Sequence, residues 1–293
     1  MSELNTIVNT KEPYSYSKMQ NDLRNLKTRY PFLQIEKIGE SVQKRQIPCI
    51  RIGEGKSEVM YSASIHANEW ITSLILMKFI EDFCISYTKN RDIFEHNPKE
   101  IYKASSIYIV PMLNPDAVEL VVGNIKEGST EYNNYKEIAD NFPNISFPSG
   151  WKANYNGVDL NLQFPANWEE ARRIKFEQGY NKPAPRDFVG FGPLTEPESL
   201  AIYNFTLKHN FRLILAYHTQ GEVIYWKYED FNPKDAEEIG RIFSKVSSYY
   251  LDVTPPESAN AGYKDWFIMN YNRPGYTIEA GLGVNPLPLE QFD

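Results

Sequence analysis

Few residues of this 293-residue chain bear on chemistry, and they can be weighed one at a time. Ser64-Ile65-His66-Ala67-Asn68-Glu69-Trp70 ends an apolar run with a His-x-x-Glu spacing just before a helix. Within one turn an imidazole and a carboxylate can converge on a single cation, and the carboxyl end of a strand is where open α/β sheets build their sites. Such a pair by itself is as readily a capped, solvated helix entry, so a third ligand is required. Four histidines are available. His96 lies in the charged loop Phe94-Glu95-His96-Asn97-Pro98 and His209 near the end of an amphipathic helix, which reads as surface and helix-terminus placement. His218 instead closes the apolar run Leu213-Ile214-Leu215-Ala216-Tyr217 ahead of a turn at Thr219-Gln220-Gly221. It therefore stands on its strand where His66 stands on its own. Two neutral imidazoles and one carboxylate leave a tetrahedral zinc ion one open position, which is a catalytic rather than a structural arrangement.

The elements that must position these residues alternate between helical and extended periodicity. Tyr16 to Tyr30 reads as an amphipathic helix, followed by strands at Leu33 to Ile38, Ile47 to Ile52 and Glu58 to Ile65. Ile71, Leu74, Ile75 and Phe79 recur at helical spacing and predict a long helix from about Trp70 to Thr88. Ser106 to Leu113 reads as a buried strand, and Thr195 to Asn210 as a helix opened by a Thr195-x-x-Glu198 capping box. Strands at Leu213 to Tyr217, Glu222 to Trp226 and Tyr276 to Glu279, with a helix at Lys234 to Tyr250, complete the pattern. Strands separated by helices predict an α/β single domain, a mixed, mainly parallel twisted sheet with helices on both faces. The domain is expected to fill residues 1–293, with 1–13 as an N-terminal extension. Gly123 to Asn156 and Gln163 to Pro193, rich in Pro, Gly, Asn and aromatic residues, read as long irregular loops of the functional kind.

Composition excludes several classes. The 31 Lys and Arg against 38 Asp and Glu give a formal charge of −7 with no dense basic tract. That leaves no electrostatic footprint for nucleic acid or for a membrane surface. Met1-Ser2-Glu3-Leu4-Asn5 lacks the basic start and apolar stretch of a leader, and no run approaches the ~20 apolar residues of a membrane span. Cys49 and Cys84 cannot build a disulfide framework and read as buried thiols, which suits a reducing cytoplasm.

Four short blocks occur in an order that resembles the zinc carboxypeptidases of the carboxypeptidase A type. They are His66-x-x-Glu69, the segment from Trp151-Lys152-Ala153-Asn154 to Gly157-Val158-Asp159-Leu160-Asn161, Tyr217-His218, and Tyr276-Thr277-Ile278-Glu279-Ala280. In detail His-Ala-Asn-Glu-Trp, Gly-Val-Asp-Leu-Asn and Gly-Tyr-Lys-Asp-Trp at 262 to 266 are similar to the bacterial branch with γ-D-glutamyl-meso-diaminopimelate peptidases, which cut the stem peptide of peptidoglycan. The resemblance implies one Zn2+ held by His66, Glu69 and His218, with Glu279 as the catalytic carboxylate. It implies Asp159 as acceptor for the outer N–H of His66, and Lys152 in the place of the arginine that stabilises the tetrahedral oxyanion. The expected partner is a peptide or muropeptide substrate, with no nucleic acid and no membrane, and no oligomeric state is specified.

The departures from the family pattern sharpen the expectation. Relatives follow the asparagine of this segment with an arginine that clamps a terminal carboxylate, whereas this chain has Asn161-Leu162-Gln163. Leucine cannot bind a carboxylate, so an endopeptidase-like or short stem-peptide substrate is expected, with Asn161 still contacting it. Lys264 stands where the family selects the leaving residue's side chain and would suit an acidic group such as the distal carboxylate of diaminopimelate. Tyr263 is the candidate to replace the family's mobile active-site tyrosine. Relatives continue beyond the equivalent of Pro288 into a terminal helix, so an uncovered apolar face is expected. The alternatives are an ordinary metallocarboxypeptidase, a zinc deacylase of N-acyl amino acids, and an inactive binding protein of the same fold.

Overall fold

The computed structural model describes residues 6–292, so Met1–Asn5 of the expected extension lie outside the described residues. In chain order the elements are α1 (Tyr16–Arg29), β1 (Gln34–Glu40), β2 (Gln46–Ile52), β3 (Ser57–Ala63), α2 (Ile71–Lys89), α3 (Pro98–Ala104), β4 (Ser105–Val110), α4 (Pro115–Val121) and α5 (Thr130–Ala139). They continue with α6 (Trp168–Glu177), α7 (Pro197–Leu207), β5 (Leu213–His218), β6 (Val223–Tyr225), α8 (Ala236–Ser247), β7 (Tyr250–Asp252), α9 (Tyr263–Tyr271) and β8 (Gly275–Glu279). The strands make one sheet in the order β1-β2-β4-β3-β5-β8-β6-β7. Its centre, β4-β3-β5-β8, is parallel, while β1, β2 and β6 join by antiparallel pairs.

Side-chain alternation divides the core between the two faces of that sheet. Ile50 and Ile52 of β2 and Ile107 and Ile109 of β4 pack with Met19 and Leu23 of α1 and with Leu74, Met77 and Ile80 of α2. Ile47 and Cys49, Tyr108 and Val110, and Ile214 and Ala216 of β5 point the other way, onto Ala201, Ile202 and Phe205 of α7 and Trp266 and Phe267 of α9. Cys49 and Cys84 are buried free thiols, as expected. The extension is not loose from Ile7 onward: the backbone N–H groups of Ile7 and Val8 donate to the buried Glu81 carboxylate of α2. Among the described residues no helix is long and apolar enough to cross a membrane.

Three expectations are corrected. The Thr195-x-x-Glu198 capping box does not form: α7 begins after Glu196, and no side chain caps it. Thr195 Oγ1 instead donates to Gln163 Oε1 at 3.1 Å, and Glu198 accepts from Val42 N at 3.0 Å and Asn154 Nδ2 at 3.2 Å. The two irregular stretches each contain a helix, α5 and α6. α5 buries only Tyr135 and Ala139, and α6 only Trp168, Ala171 and Lys175, too few residues to write an apolar stripe. Tyr250, assigned to the last turn of a helix, begins strand β7 after Ser248 adopts a positive φ of 64°. Apolar side chains stand in solvent at this edge, with Val246 78% and Tyr250 77% exposed.

Candidate metal centre and active-site cleft

Three neighbouring parallel strands deliver the site. His218 is the last residue of β5 and is paired in register with Glu279, the last residue of β8. β3 lies on the other side of β5 and ends at Ala63, three residues before His66. Beyond it Ser64 takes a positive φ of 46°, and its N–H and hydroxyl bond to Thr72 Oγ1 at 3.0 Å and Ser73 Oγ at 2.6 Å. This turn leads into a single 3-10 turn, Ala67–Glu69, that brings Glu69 back toward His66. Asn114, just past β4, ties the turn to the following loop by donating to Ile65 O, Lys152 O and Ala153 O. These bonds fix both halves of the His-x-x-Glu pair before any ligand is considered.

The three sequence-predicted ligands meet. His66, Glu69 and His218 are buried, and one donor atom from each lies within 4.8 Å of the others. His66 Nδ1 is 2.9 Å from Glu69 Oε1, and His218 Nδ1 is 3.0 Å from Glu69 Oε2. Asp159 Oδ1 is 3.0 Å from His66 Nε2 and also accepts the Asn161 N–H, while Oδ2 accepts that of Asp187. Lys152 Nζ donates to Glu69 Oε1 at 2.9 Å, so it reaches the cluster with part of its hydrogen-bonding capacity already used.

Electrostatics follow from this packing. Burial works against ionisation of Glu69, yet Lys152 and the two imidazoles hold its carboxyl well below the usual range. Burial likewise opposes charge on Asp159, and His66 outweighs it. For His66, burial disfavours the proton, but Glu69 and Asp159 lift the imidazole to about 9. Glu279 behaves oppositely: burial, with Glu69 adding to it, pushes its carboxyl above the usual range against the pull of His218. Two carboxylates in one cleft thus face different environments, one fixed as an anion and one poised to take up a proton.

The cleft has a volume of about 690 Å³, and its walls include His66, Asp159, His218, Glu279, Lys152, Asn161 and Lys264. Asn161 also accepts the Tyr263 N–H through its side chain at 3.1 Å, which joins the cleft to α9. Tyr263 itself is a correction: it is 1% exposed, and its hydroxyl pairs with Thr206 Oγ1 at 2.7 Å in the core between α7 and α9. It does not line the cleft. Sequence reasoning missed Tyr225, Arg186 and Asp265, all of which do. Arg186 Nε donates to Asp187 Oδ2 at 2.6 Å, and it sits in a stretch read as irregular loop, where no periodicity marks a residue for attention. Tyr225 is opposite Thr277 across the antiparallel β6–β8 pair, a juxtaposition that sequence spacing does not show. Asp265 was visible beside Lys264 but carried no signal of its own.

Fold and cleft together define a metal-dependent hydrolase built on the carboxyl edge of an α/β sheet. The comparisons specify it further. The zinc carboxypeptidase family matches residues 19–284, and the chain belongs to that family. It is 45% identical over 98% of its length to "Gamma-D-glutamyl-L-diamino acid endopeptidase 1" of Lysinibacillus sphaericus, covering 70% of that protein. It is 36% identical over 95% of its length to "Uncharacterized protein YqgT" of Bacillus subtilis (strain 168), covering 73% of it. Bovine thrombin-activatable fibrinolysis inhibitor, solved with tick carboxypeptidase inhibitor, shares the fold at a TM-score of 0.68 and 18% identity, over 97% of this chain and 92% of that one. The chain is therefore a zinc metallopeptidase, and the mainly parallel α/β architecture expected for it is the one observed.

Proposed function

We propose that the enzyme hydrolyses γ-D-glutamyl-meso-diaminopimelate bonds in peptidoglycan stem peptides, with His66, Glu69 and His218 holding the zinc ion. The observation that carries the substrate reading is Leu162, which lines the cleft beside Asn161 where the family clamps a terminal carboxylate with arginine. A leucine wall gives no reward for a free carboxylate directly after the cut bond, so cleavage within a stem peptide is favoured over strict removal of a terminal residue. The name of the 45% identical relative points to the same bond class.

The donor set fits zinc. Both imidazole Nδ1 atoms face oxygens of one carboxylate at 2.9 and 3.0 Å, and lone pairs opposed at that distance repel unless a proton or a cation lies between them. A cation would displace the proton that His66 Nδ1 otherwise shares with Glu69, and Asp159 would keep the remaining proton on Nε2, the usual role of a carboxylate behind a ligand histidine. Bound there, zinc supplies Lewis-acid chemistry, polarising a carbonyl and making water acidic near neutral pH.

The remaining work belongs to the chain. Glu279 takes the proton from the attacking water at a carboxylate oxygen and returns it to the leaving amine, a role suited to a carboxyl raised above its ordinary range. Lys152, anchored on Glu69, places a positive charge beside the site to stabilise the developing oxyanion. Asn161 and Lys264 both line the cleft, the first as the candidate to orient the substrate backbone and the second as the candidate to meet the leaving residue. The test gives zinc-loaded protein a γ-D-Glu-meso-diaminopimelate peptide, an ordinary peptide with a free terminal carboxylate and an N-acyl amino acid. Fastest turnover of the first is expected. A preference for the second or third transfers the assignment to a carboxypeptidase or a deacylase, and inertness toward all three leaves a binding protein.

A further inference from the structure

Lys175 of α6 is a charged residue only 9% exposed, and it lines the cleft together with its partner Asp187. Its ammonium donates to Asp187 Oδ1 at 2.7 Å, and the two side chains are 11% and 15% exposed. The other carboxylate oxygen of Asp187 accepts from Arg186 Nε at 2.6 Å, so a cation grips each side of the group. The backbone beneath it is unusual: Asp187 takes a φ of 66°, in the left-handed region that residues other than glycine enter at a cost. In that conformation its N–H donates to Asp159 Oδ2 at 3.1 Å, while Asp159 Oδ1 meets His66 Nε2 at 3.0 Å. The same loop is stitched to the site on both sides of Asp187. Pro185 O accepts from Lys152 N at 2.8 Å, and Phe188 O accepts from Asp159 N at 2.8 Å. The helix that supplies Lys175 is itself firmly seated. Trp168 and Ala171 of α6 pack with Leu162 and Val189, and Phe176 packs against Val158, Ala184 and Phe188.

We infer that Asp187, gripped by Lys175, is a positioning residue for Asp159 and through it for His66. The inference rests on His66, Glu69 and His218 being the zinc ligands and goes beyond that reading, which by itself requires no lysine on α6. Asp159 Oδ1 carries both His66 and the Asn161 N–H, and Oδ2 accepts from Asp187, so the Asp187 bond sets the rotation of the carboxylate about its own axis. Strain and grip are coupled at Asp187. Released from Lys175, its backbone gains by relaxing toward a negative φ, which turns the N–H away from Asp159. Arg186 cannot prevent this alone, because it is the adjacent residue of the same loop and moves with it. Lys175 belongs to another element and ties the loop to a packed helix. A buried ion pair contributes little net stability, so the value of this one lies in the geometry that it enforces.

The experiment measures the zinc affinity of the full chain by chelator competition in Asp187→Gly and Lys175→Met, each made in the wild-type and in the Asp159→Asn background. Glycine keeps the backbone N–H and tolerates the positive φ, so Asp187→Gly removes the gripped carboxylate alone. It is expected to weaken zinc binding by about 3- to 30-fold in the wild-type background, a share of the about 10- to 100-fold that the acceptor behind a ligand histidine is worth. Where Asp159 is already asparagine, the same change should cost less than about two-fold, because residues acting through one another are not additive. Lys175→Met should lose about 3- to 10-fold with the same dependence on Asp159, and it decides the matter if the glycine variant does not fold. A general loss of structure lowers affinity alike in both backgrounds, so equal losses overturn the positioning role, as does undiminished affinity in the wild-type background. His218→Ala separates this result from the ligand reading. Zinc held as tightly by that variant as by the wild type overturns the ligand set, and a His218-dependent affinity that ignores Asp187 and Lys175 overturns the positioning role alone.

Discussion

Glu279 and Asp159 are both carboxylates beside the histidine cluster, yet their surroundings give them different work. Glu279 ends β8 across from His218 and carries no hydrogen bond to either imidazole, whereas Asp159 is fixed by His66 and two backbone N–H groups. Glu279→Gln keeps the shape and removes the proton acceptor. Hydrolysis should fall by ~10²- to 10⁴-fold while zinc content stays stoichiometric, and unaltered turnover would remove Glu279 from the chemistry. Asp159→Asn acts through the metal instead: zinc affinity should weaken by about 10- to 100-fold in a chelator competition, because the His66 tautomer is no longer enforced. At this scale residue type and spacing singled out His66, Glu69 and His218 as candidates, the family resemblance joined them into one ligand set, and the structure brings the three together. Asp265 and Arg186 were not singled out, since their significance lies in what faces them.

The elements show how the sheet and its helices hold that arrangement. β1 packs so closely on α7 that a Cβ at Gly39 would stand 2.4 Å from the Ala201 Cβ. Gly39→Ala is expected to cost about 1–3 kcal/mol in denaturant unfolding, and Ala201→Gly should restore part of it in the double variant. On α7, Glu198 is fully buried between Val42 and Asn154, and burial raises its carboxyl to about 8. A carboxyl raised on folding keeps its proton in the native state while the unfolded chain loses it above ~4.3. Stability therefore holds its full value at low pH and falls as pH rises from there toward 8. Glu198→Gln should flatten the decline in urea midpoint over this range, and an unchanged slope would show that another group is responsible. Asn154 links the same carboxyl to the loop that carries Lys152 and Asp159, so α7 supports the site without touching it.

For the molecule as a whole, zinc would join residues from three separate parts of the chain at the edge of one sheet. A ligand that binds only the folded state stabilises it by mass action, about 2.7 kcal/mol when free metal is a hundred times Kd. Zinc should therefore raise Tm by roughly 5–10 °C, and His218→Ala should abolish the shift in a melting experiment without collapsing the apo fold. The far edge of the sheet is a separate matter. Ile242 at 55% and Val246 at 78% exposure share one face of α8, one turn apart, and touch no part of the cleft. Val246→Lys is expected to change stability by less than about 0.5 kcal/mol and to improve solubility.

The sequence by itself determined most of the alternation of strands and helices and the parallel centre of the sheet, because those features are written in periodicity, and it singled out His66, Glu69 and His218 as candidate ligands through four short blocks in the family's order. Periodicity reports a face only where a helix is half buried. It therefore missed α9, whose residues from Tyr263 to Ile268 are buried all round, and α5 and α6, which bury too little. Tertiary structure alone decided that Tyr263 turns inward to Thr206, that Glu198 serves a loop rather than a helix cap, and that Lys264 is met by Asp265. Each of these depends on which distant or neighbouring group fills the space beside a side chain, and no spacing along the chain records that.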